Sequence, residues 1–425
     1  MDEHRIAGAA IAVAEKGHVI YEGAFGVRSV ETGERVTPDT VFGIASVSKS
    51  VTAMAIMQLQ DQGRLCVDNP VTRYLPEFRI RGLRDMSMVR LHHLLSHSTG
   101  LPPFKRHPEY NVLSQHIEYI ATADYELLGK PGQYFSYCND SFLVLGAIIE
   151  RVMDKPFTEH MRERIFEPIG MTRTTYWTED LARLGDVTEL YQYDRKSGSH
   201  TRQEWPDLGN HRVSGGIRCS VRDLLRYASV YTTEGIIDGR RIISEHAIWR
   251  MRQPAVEAGR DSYYGYALNI HPGYGGVTLV SHGGSLPGVA SHFGYVPEKG
   301  IAVAVLTNVG GAPSKALWLM ATNAALDLPV DRKLPREPFW KAPPGCVEKY
   351  FGTYASAEGG KVRVFGDGPK ALAETAGEVF ELRPSDDRTL VYEAQDQETV
   401  LTFFEDGAGK VWAVRAGSRM LRKVE

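Results

Sequence analysis

Ser46 and Lys49, in the stretch "FGIASVSKSVTAMAIMQLQDQG", form the one Ser-x-x-Lys spacing in the chain. If a helix begins at or just after Ser46, the two side chains lie one turn apart on the same face, within reach of each other. Unpaired N–H groups and the positive end of the helix dipole then surround Ser46 and favour negative charge on its oxygen. Val, Met, Ile and Leu fill the rest of the stretch. Desolvation among them lowers a lysine's pKa until its amine can act as a base. The same pair also reads as a helix cap followed by a lysine that reaches solvent. Other groups must decide between the two.

Tyr137, Cys138 and Asn139 precede an apolar helix in "PGQYFSYCNDSFLVLG". Tyrosine is a poor base at its ordinary pKa, but a nearby lysine cation stabilises the phenolate and brings it into range. Asn139 carries both a donor and an acceptor, enough to orient Lys49 and a substrate carbonyl together. Farther on, "LVSHGGSLPGVASHFGYVPEKG" places His282, Gly283, Gly284 and Ser285 at the end of one apolar run and just before another. Glycines there let the backbone approach a ligand, and an extended edge can supply an N–H to an oxyanion hole. His282 can serve as a neutral donor or as a switchable cation. A capping Asn139, a packed Tyr137 and a tight glycine turn account for the same residues without chemistry.

Other motifs carry less. His93 and His97 in "LHHLLSH" have a spacing that presents two imidazoles on one helical face, but Leu94 stands where a zinc-protease helix needs its glutamate. With no third ligand evident, a structural role is favoured. No Gly-x-Ser-x-Gly elbow, phosphate loop or dinucleotide fingerprint occurs.

These groups need elements to position them. Ala10 to Ala14 and Val19 to Ala24 flank a turn at "EKGH" and read as a hairpin, and a second hairpin lies between Ala290 and Asn308. Both pairs are nearly continuously apolar, as strands covered on two faces are. First and last strands sharing one sheet is the expected arrangement, with helices at Val51 to Gln62, Ser141 to Met153, Val221 to Tyr231 and Ser314 to Leu326. Residues 331–345, dense in Pro and charge, read as a linker. Beyond it, "KVRVF", "EVFEL", "TLVYEA", "TVLTFFED" and "KVWAVR" predict a small antiparallel β-domain over 346–425, a barrel or a sandwich.

Bulk properties exclude several classes of function. The chain has 425 residues, 43% hydrophobic and 24% charged, and a formal net charge of -3, so no basic field exists for nucleic acid. Four cysteines stand singly, without the spacing of a zinc or redox motif, and read as reduced thiols, mostly buried. The N-terminus lacks the positive charge of a secretory signal, and no apolar run reaches a membrane span. The expectation is a soluble, cytoplasmic protein with no membrane partner, no metal and no cofactor. A homo-oligomer is left open.

Ser-x-x-Lys, Tyr-x-Asn and His-Gly-Gly, in this order, resemble the serine β-lactamase and penicillin-binding protein superfamily. Similarity runs from Arg5 to about Leu328 and takes in "LHHLLSHSTGLP", "IFEPIGM" and "SGGIRCSVRDLLRYA". Tyr-x-Asn points to the class C branch, with its D-aminopeptidases, D-Ala-D-Ala carboxypeptidases and class VIII carboxylesterases. The resemblance implies an α+β fold: a transpeptidase-like catalytic domain over 1–330, an antiparallel sheet flanked by helices plus a helical subdomain, with a lipocalin-like β-domain after it. It implies that Ser46 attacks a carbonyl, that Lys49 and Tyr137 share acid and base duty, and that Asn139 holds the substrate and Lys49. The N–H groups of Ser46 and Ser285 would form the oxyanion hole, with His282, Gly283 and Gly284 lining the substrate.

His282 and Gly283 depart from the family's Lys-Thr-Gly, so the permanent charge and the hydroxyl that hold a β-lactam carboxylate are both missing. The expectation is a serine hydrolase of small esters or amides, D-residue peptides among them, with little or no β-lactamase activity. An acyltransferase using the same acyl-Ser46, and a noncatalytic sensor or scaffold of the same fold, are the alternatives.

Overall fold

The computed structural model describes residues 1, 4–194, 196–394 and 397–425. The N-terminal apolar run folds as strand β1 (Gly8–Glu15), which turns through Lys16 and Gly17, both at positive φ, into β2 (His18–Gly26). The same sheet resumes much later with β3 (Val256–Gly259), β4 (Ser262–Tyr264), β5 (Asn269–Tyr274), β6 (Val277–Leu286), β7 (Val289–Val296) and β8 (Ile301–Thr307). All eight strands are antiparallel, in the order β2-β1-β8-β7-β6-β5-β4-β3. The sequence predicts that the first and last strands share one sheet; the structure adds that they are neighbours, with Ala9 paired to Thr307 and Glu15 to Ile301.

Four helices matter for the site: α1 (Ser48–Asp61), α2 (Asn139–Met153), α3 (Val221–Ser229) and α4 (Ser314–Ala325). The continuously apolar strands are explained by helices on both sides of the sheet. Val13, Val303 and Val305 pack with Trp318 and Leu319 of α4. Ala10, Ala12, Ala302 and Ala304 face the other way, into the main core with Leu224 and Leu225 of α3. Strand β2 departs from the expectation of two covered faces. It is the sheet's edge, and Val19, Ile20, Tyr21 and Phe25 are exposed on it.

Helix α1 is buried from Ser48 to Leu59, which is why its sequence shows no polar stripe. Its polar side chains are satisfied internally: Thr52 Oγ1 donates to Val213 O at 2.9 Å and Gln58 Nε2 to Ile242 O at 2.8 Å. Of the cysteines, all free, Cys138 and Cys219 are buried and Cys66 and Cys346 are partly exposed.

The C-terminal strands close into an eight-stranded antiparallel barrel, which decides between barrel and sandwich. They are β9 (Gly352–Ala355), β10 (Lys361–Asp367), β11 (Lys370–Thr375), β12 (Glu378–Asp386), β13 (Thr389–Ala394), β14 (Gln397–Glu405), β15 (Val411–Ala416) and β16 (Arg419–Lys423). Alternating runs account for five of these. Strands β9, β11 and β16 are short and rich in Gly, Ala, Glu, Lys and Arg, which weakens their strand signal. Side chains fill the barrel, with Tyr350 stacked on Phe403 at 4.2 Å among Val364, Leu401 and Val414.

The barrel is bonded to the turn that precedes α2. Tyr137 N donates to Ser418 O at 2.8 Å, and Met420 N donates to Ser136 Oγ at 3.2 Å. Leu128 packs beneath them with Ala413 and Met420. No helix among the described residues is long and apolar enough to cross a membrane.

Candidate active site

Ser46 sits in a single 3-10 turn, Ala45–Val47, that leads into α1. Ala45, immediately before it, has φ of +45°, a left-handed conformation that a side chain rarely adopts. Such strain persists only when the surroundings impose it. Here Ser291 Oγ, on β7, donates to Ile44 O at 2.7 Å, and Gly284 of β6 lies so close that a Cβ on it would be 2.1 Å from Ile44 O. Gly283 is similarly confined, with its Cβ position 2.9 Å from His292 Nδ1. Both glycines are strand residues rather than a tight turn: close approach to the turn that carries Ser46 requires Gly284, and the His292 ring on β7 confines Gly283.

Lys49 is fully buried. Its Nζ lies 3.2 Å from Ser46 Oγ and donates to Ser214 O at 2.8 Å. The rings of Tyr137 and Phe142 flank the nitrogen at 4.9 and 5.8 Å. Burial first, then Arg419 and Arg106, drive its pKa well below the usual 10.5. The reading in which Lys49 snorkels to solvent is therefore overturned: the side chain ends buried against the serine.

Tyr137 corrects another expectation. A lysine cation is expected to lower its pKa, yet burial pushes the phenol up to about 12, and the nearby Ser46 hydroxyl and the Arg419 charge only temper the rise. The Tyr137 hydroxyl is buried and makes no hydrogen bond of proper geometry in this arrangement. It holds its proton. His97 packs its ring 4.1 Å from Tyr137 and accepts from Cys138 N at 3.2 Å through Nδ1. His93 instead accepts from Arg90 N, so the two histidines serve separate structural bonds. No group of three or more His, Cys, Asp or Glu among the described residues is placed to hold a metal ion.

Asn139 opens α2, yet it makes no hydrogen bond to Lys49. Its Nδ2 donates at 3.0 Å to Glu358 Oε1, from the turn between β9 and β10 of the barrel. Ser214 O, rather than Asn139, holds the lysine, because the helical turn Arg212–Gly215 packs directly against α1. Arg106 and Arg419 also bond Glu358, and the Arg419 guanidinium lies 5.0 Å from the centre of the Tyr137 ring. Arg106, Glu358 and Arg419 carry no motif and were not legible in the sequence. Ser214 lies in the family-like "SGGIRCS", which was the one signal available.

His282 is buried, with both ring nitrogens engaged: Nδ1 with Gly283 O at 2.7 Å and Nε2 with Tyr264 Oη at 3.0 Å. Desolvation, then Lys49, holds its pKa down to about 3. It is a neutral wall and not a switchable cation, and no ring nitrogen remains for a substrate. Ser46, Arg106, Asn139, Leu208, His211, Ser214, Gly215, Ser285 and Leu286 enclose a cavity of ≈ 20 Å³, room for about one water. A larger cleft of ≈ 490 Å³ between Tyr231, Trp249 and Pro297 shares none of these lining residues.

Residues 1–326 match the family model described as Beta-lactamase. "Penicillin-binding protein 4" of Amycolatopsis lactamdurans is 30% identical over 328 residues, covering 73% of this chain and 83% of that protein. A D-aminopeptidase of Brucella canis is 28% identical over 390 residues, covering 86% of this chain and 69% of its own length. Among solved structures, the octameric penicillin-binding protein homologue from Pyrococcus abyssi superposes with a TM-score of 0.73 at 28% identity, covering 100% of this chain and 97% of that one.

Proposed function

The chain belongs to the beta-lactamase family of hydrolases, and from that premise we propose that it cleaves small esters and short peptide amides through an acyl-enzyme on Ser46. The observation that carries this reading is the buried amine of Lys49, its pKa driven down by desolvation, 3.2 Å from Ser46 Oγ. Lys49 takes the hydroxyl proton as Oγ attacks the carbonyl carbon. The N–H groups of Ser46 and Ser285, which line one cavity, receive the developing oxyanion, each worth about 3–4 kcal/mol. As the tetrahedral intermediate collapses, the leaving group takes a proton from Tyr137, which Lys49 replenishes. Water then attacks the acyl-serine, with Lys49 again as the base, and the released acid restores Ser46.

Asn139 holds the acyl part of the substrate. Gly284 keeps β6 close to the nucleophile's turn, and Gly283 makes room for the His292 ring, rather than either touching substrate through a side chain. A binding protein has no use for a lysine kept uncharged beside a serine, which disfavours the noncatalytic alternative. With neither lysine nor threonine at 282 and 283, β-lactams are poor substrates.

Intact-mass measurement after treatment with a fluorophosphonate tests the mechanism. One adduct on Ser46, absent in Ser46→Ala, is expected, together with loss of nitrophenyl ester turnover. A serine that stays unmodified, or a Ser46→Ala variant that still turns over, overturns the reading.

A further inference from the structure

Three separate parts of the chain direct N–H donors at the Glu358 carboxylate. Oε1 accepts from Asn139 Nδ2 at 3.0 Å, from Arg106 Nη2 at 3.0 Å and Nε at 3.3 Å, and from Arg419 Nη2 at 3.2 Å. Arg419 Nε donates to Oε2. Two guanidinium groups and one amide form a donor set that matches a carboxylate. Two cations share one anion, so the cluster keeps a surplus of positive charge. Lys49 senses that surplus, because Arg419 and Arg106 each lower its pKa more than Glu358 raises it.

Glu358 comes from the barrel, whereas Asn139 and Arg106 do not. It lies on the turn Ser356–Gly360, where Gly359 has φ of +104° and open space around it. Its partners Arg106 and Asn139 line the cavity that contains Ser46. Asn139 must hold substrate for the proposed reaction, yet its amide donor is taken by this carboxylate.

We propose that Asn139, Arg106 and Arg419 are a carboxylate-reading subsite, held by Glu358 until the free carboxylate on a substrate's acyl part displaces it. The preferred substrates are then monoesters or monoamides of short dicarboxylic acids. This rests on the hydrolase reading above. A substrate ammonium bound to Glu358 would bring a third cation beside Arg106 and Arg419, so the charge balance favours an anion. The subsite stands beside Asn139, not on β6, where His282 offers no charge.

The test compares the 4-nitrophenyl monoester of glutaric acid with the neutral valerate ester and the 5-aminovalerate ester. Wild type should prefer the glutarate monoester over valerate by about tenfold in kcat/KM, as a pair of charge-assisted hydrogen bonds supplies. Glu358→Ala should widen that ratio, and Arg106→Ala or Arg419→Ala should bring it close to one. Equal treatment of all three esters by wild type and Glu358→Ala overturns the proposal. So does an ammonium preference that Glu358→Ala abolishes.

A second arm does not depend on turnover. Calorimetric binding of glutarate to Ser46→Ala should tighten about tenfold when Glu358→Ala is added, and weaken again with Arg106→Ala, which lies outside the barrel. No tightening overturns the subsite. Ser46-independent hydrolysis of the valerate ester, by contrast, sinks the hydrolase reading alone.

Discussion

Lys49 Nζ donates to the Ser214 carbonyl at 2.8 Å and to Ser46 Oγ at 3.2 Å, so one nitrogen ties the Arg212–Gly215 turn to the serine. Holding this nitrogen uncharged costs stability whenever the unfolded chain would protonate it. Between the depressed folded pKa and the usual 10.5, the unfolded state binds one proton more, so Lys49's contribution improves as pH rises. Urea denaturation of wild type and Lys49→Met should show their stability difference shifting toward wild type by about 1.4 kcal/mol per pH unit in that window. Lys49→Met should be catalytically dead. A difference independent of pH would mean that the lysine folds in its charged form.

The proton on Tyr137 gives a prediction about leaving groups. Because burial pushes its pKa up to about 12, Tyr137 should act as a donor throughout the working range. Tyr137→Phe should reduce amide hydrolysis by about 10²–10⁴-fold, and nitrophenyl esters much less, since nitrophenolate departs without a proton. Equal losses on the two substrates would assign Tyr137 another task.

Gly284 tests whether the strained turn before the nucleophile is held from β6. A methyl group there would lie 2.1 Å from Ile44 O and 2.5 Å from Ser291 Oγ. Gly284→Ala should cost about 1–3 kcal/mol in chemical denaturation and should also reduce kcat, because relief of the clash moves Ile44 and with it Ala45 and Ser46. Full activity at reduced stability would show that Ser46 is positioned from α1 alone.

His282 separates two accounts of the departure from Lys-Thr-Gly. With its pKa held down to about 3 and both ring nitrogens bonded, it adds no ionisation between pH 5 and 8. His282→Gln should therefore leave the positions of the limbs in the pH profile of kcat/KM unchanged. Nitrocefin should be turned over at least about a hundredfold less efficiently than the nitrophenyl esters, as expected where charged hydrogen bonds to its carboxylate are missing from β6.

Legibility in the sequence followed how local the signal was. Ser46 with Lys49 and the two hairpins rest on spacing and apolar pattern, and the structure reproduces them; a sheet shared by the first and last strands is expected from the sequence, but which strands pair in it is not. The protonation states were not legible. Whether Lys49 raises or lowers its neighbours depends on total burial, and Tyr137 and His282 shift oppositely to what a charged lysine and a solvated imidazole would give. Asn139 was read as the lysine's partner because both are polar and near the serine, whereas a backbone carbonyl at Ser214 fills that role. Nothing in "SAEGG" or "GSRML" distinguishes Glu358 and Arg419 from surface turn residues. Their importance arises only when the barrel docks on Ser136 and Tyr137.

That docking has an evolutionary consequence. Ser46, Lys49, Tyr137 and Asn139 are encoded between positions 46 and 139, while two of the charges beside them come from a separate barrel, Glu358 from the turn before β10 and Arg419 from the start of β16. Surface turns tolerate insertions and substitutions far better than a buried helix does. Lengthening or recolouring the 356–360 turn alters what reaches Asn139, and through the Glu358 charge also the pKa of Lys49, without changing any residue of α1. New specificities can thus arise in this chain while its nucleophile stays untouched, by drift in a part of the gene more than two hundred codons downstream of Asn139.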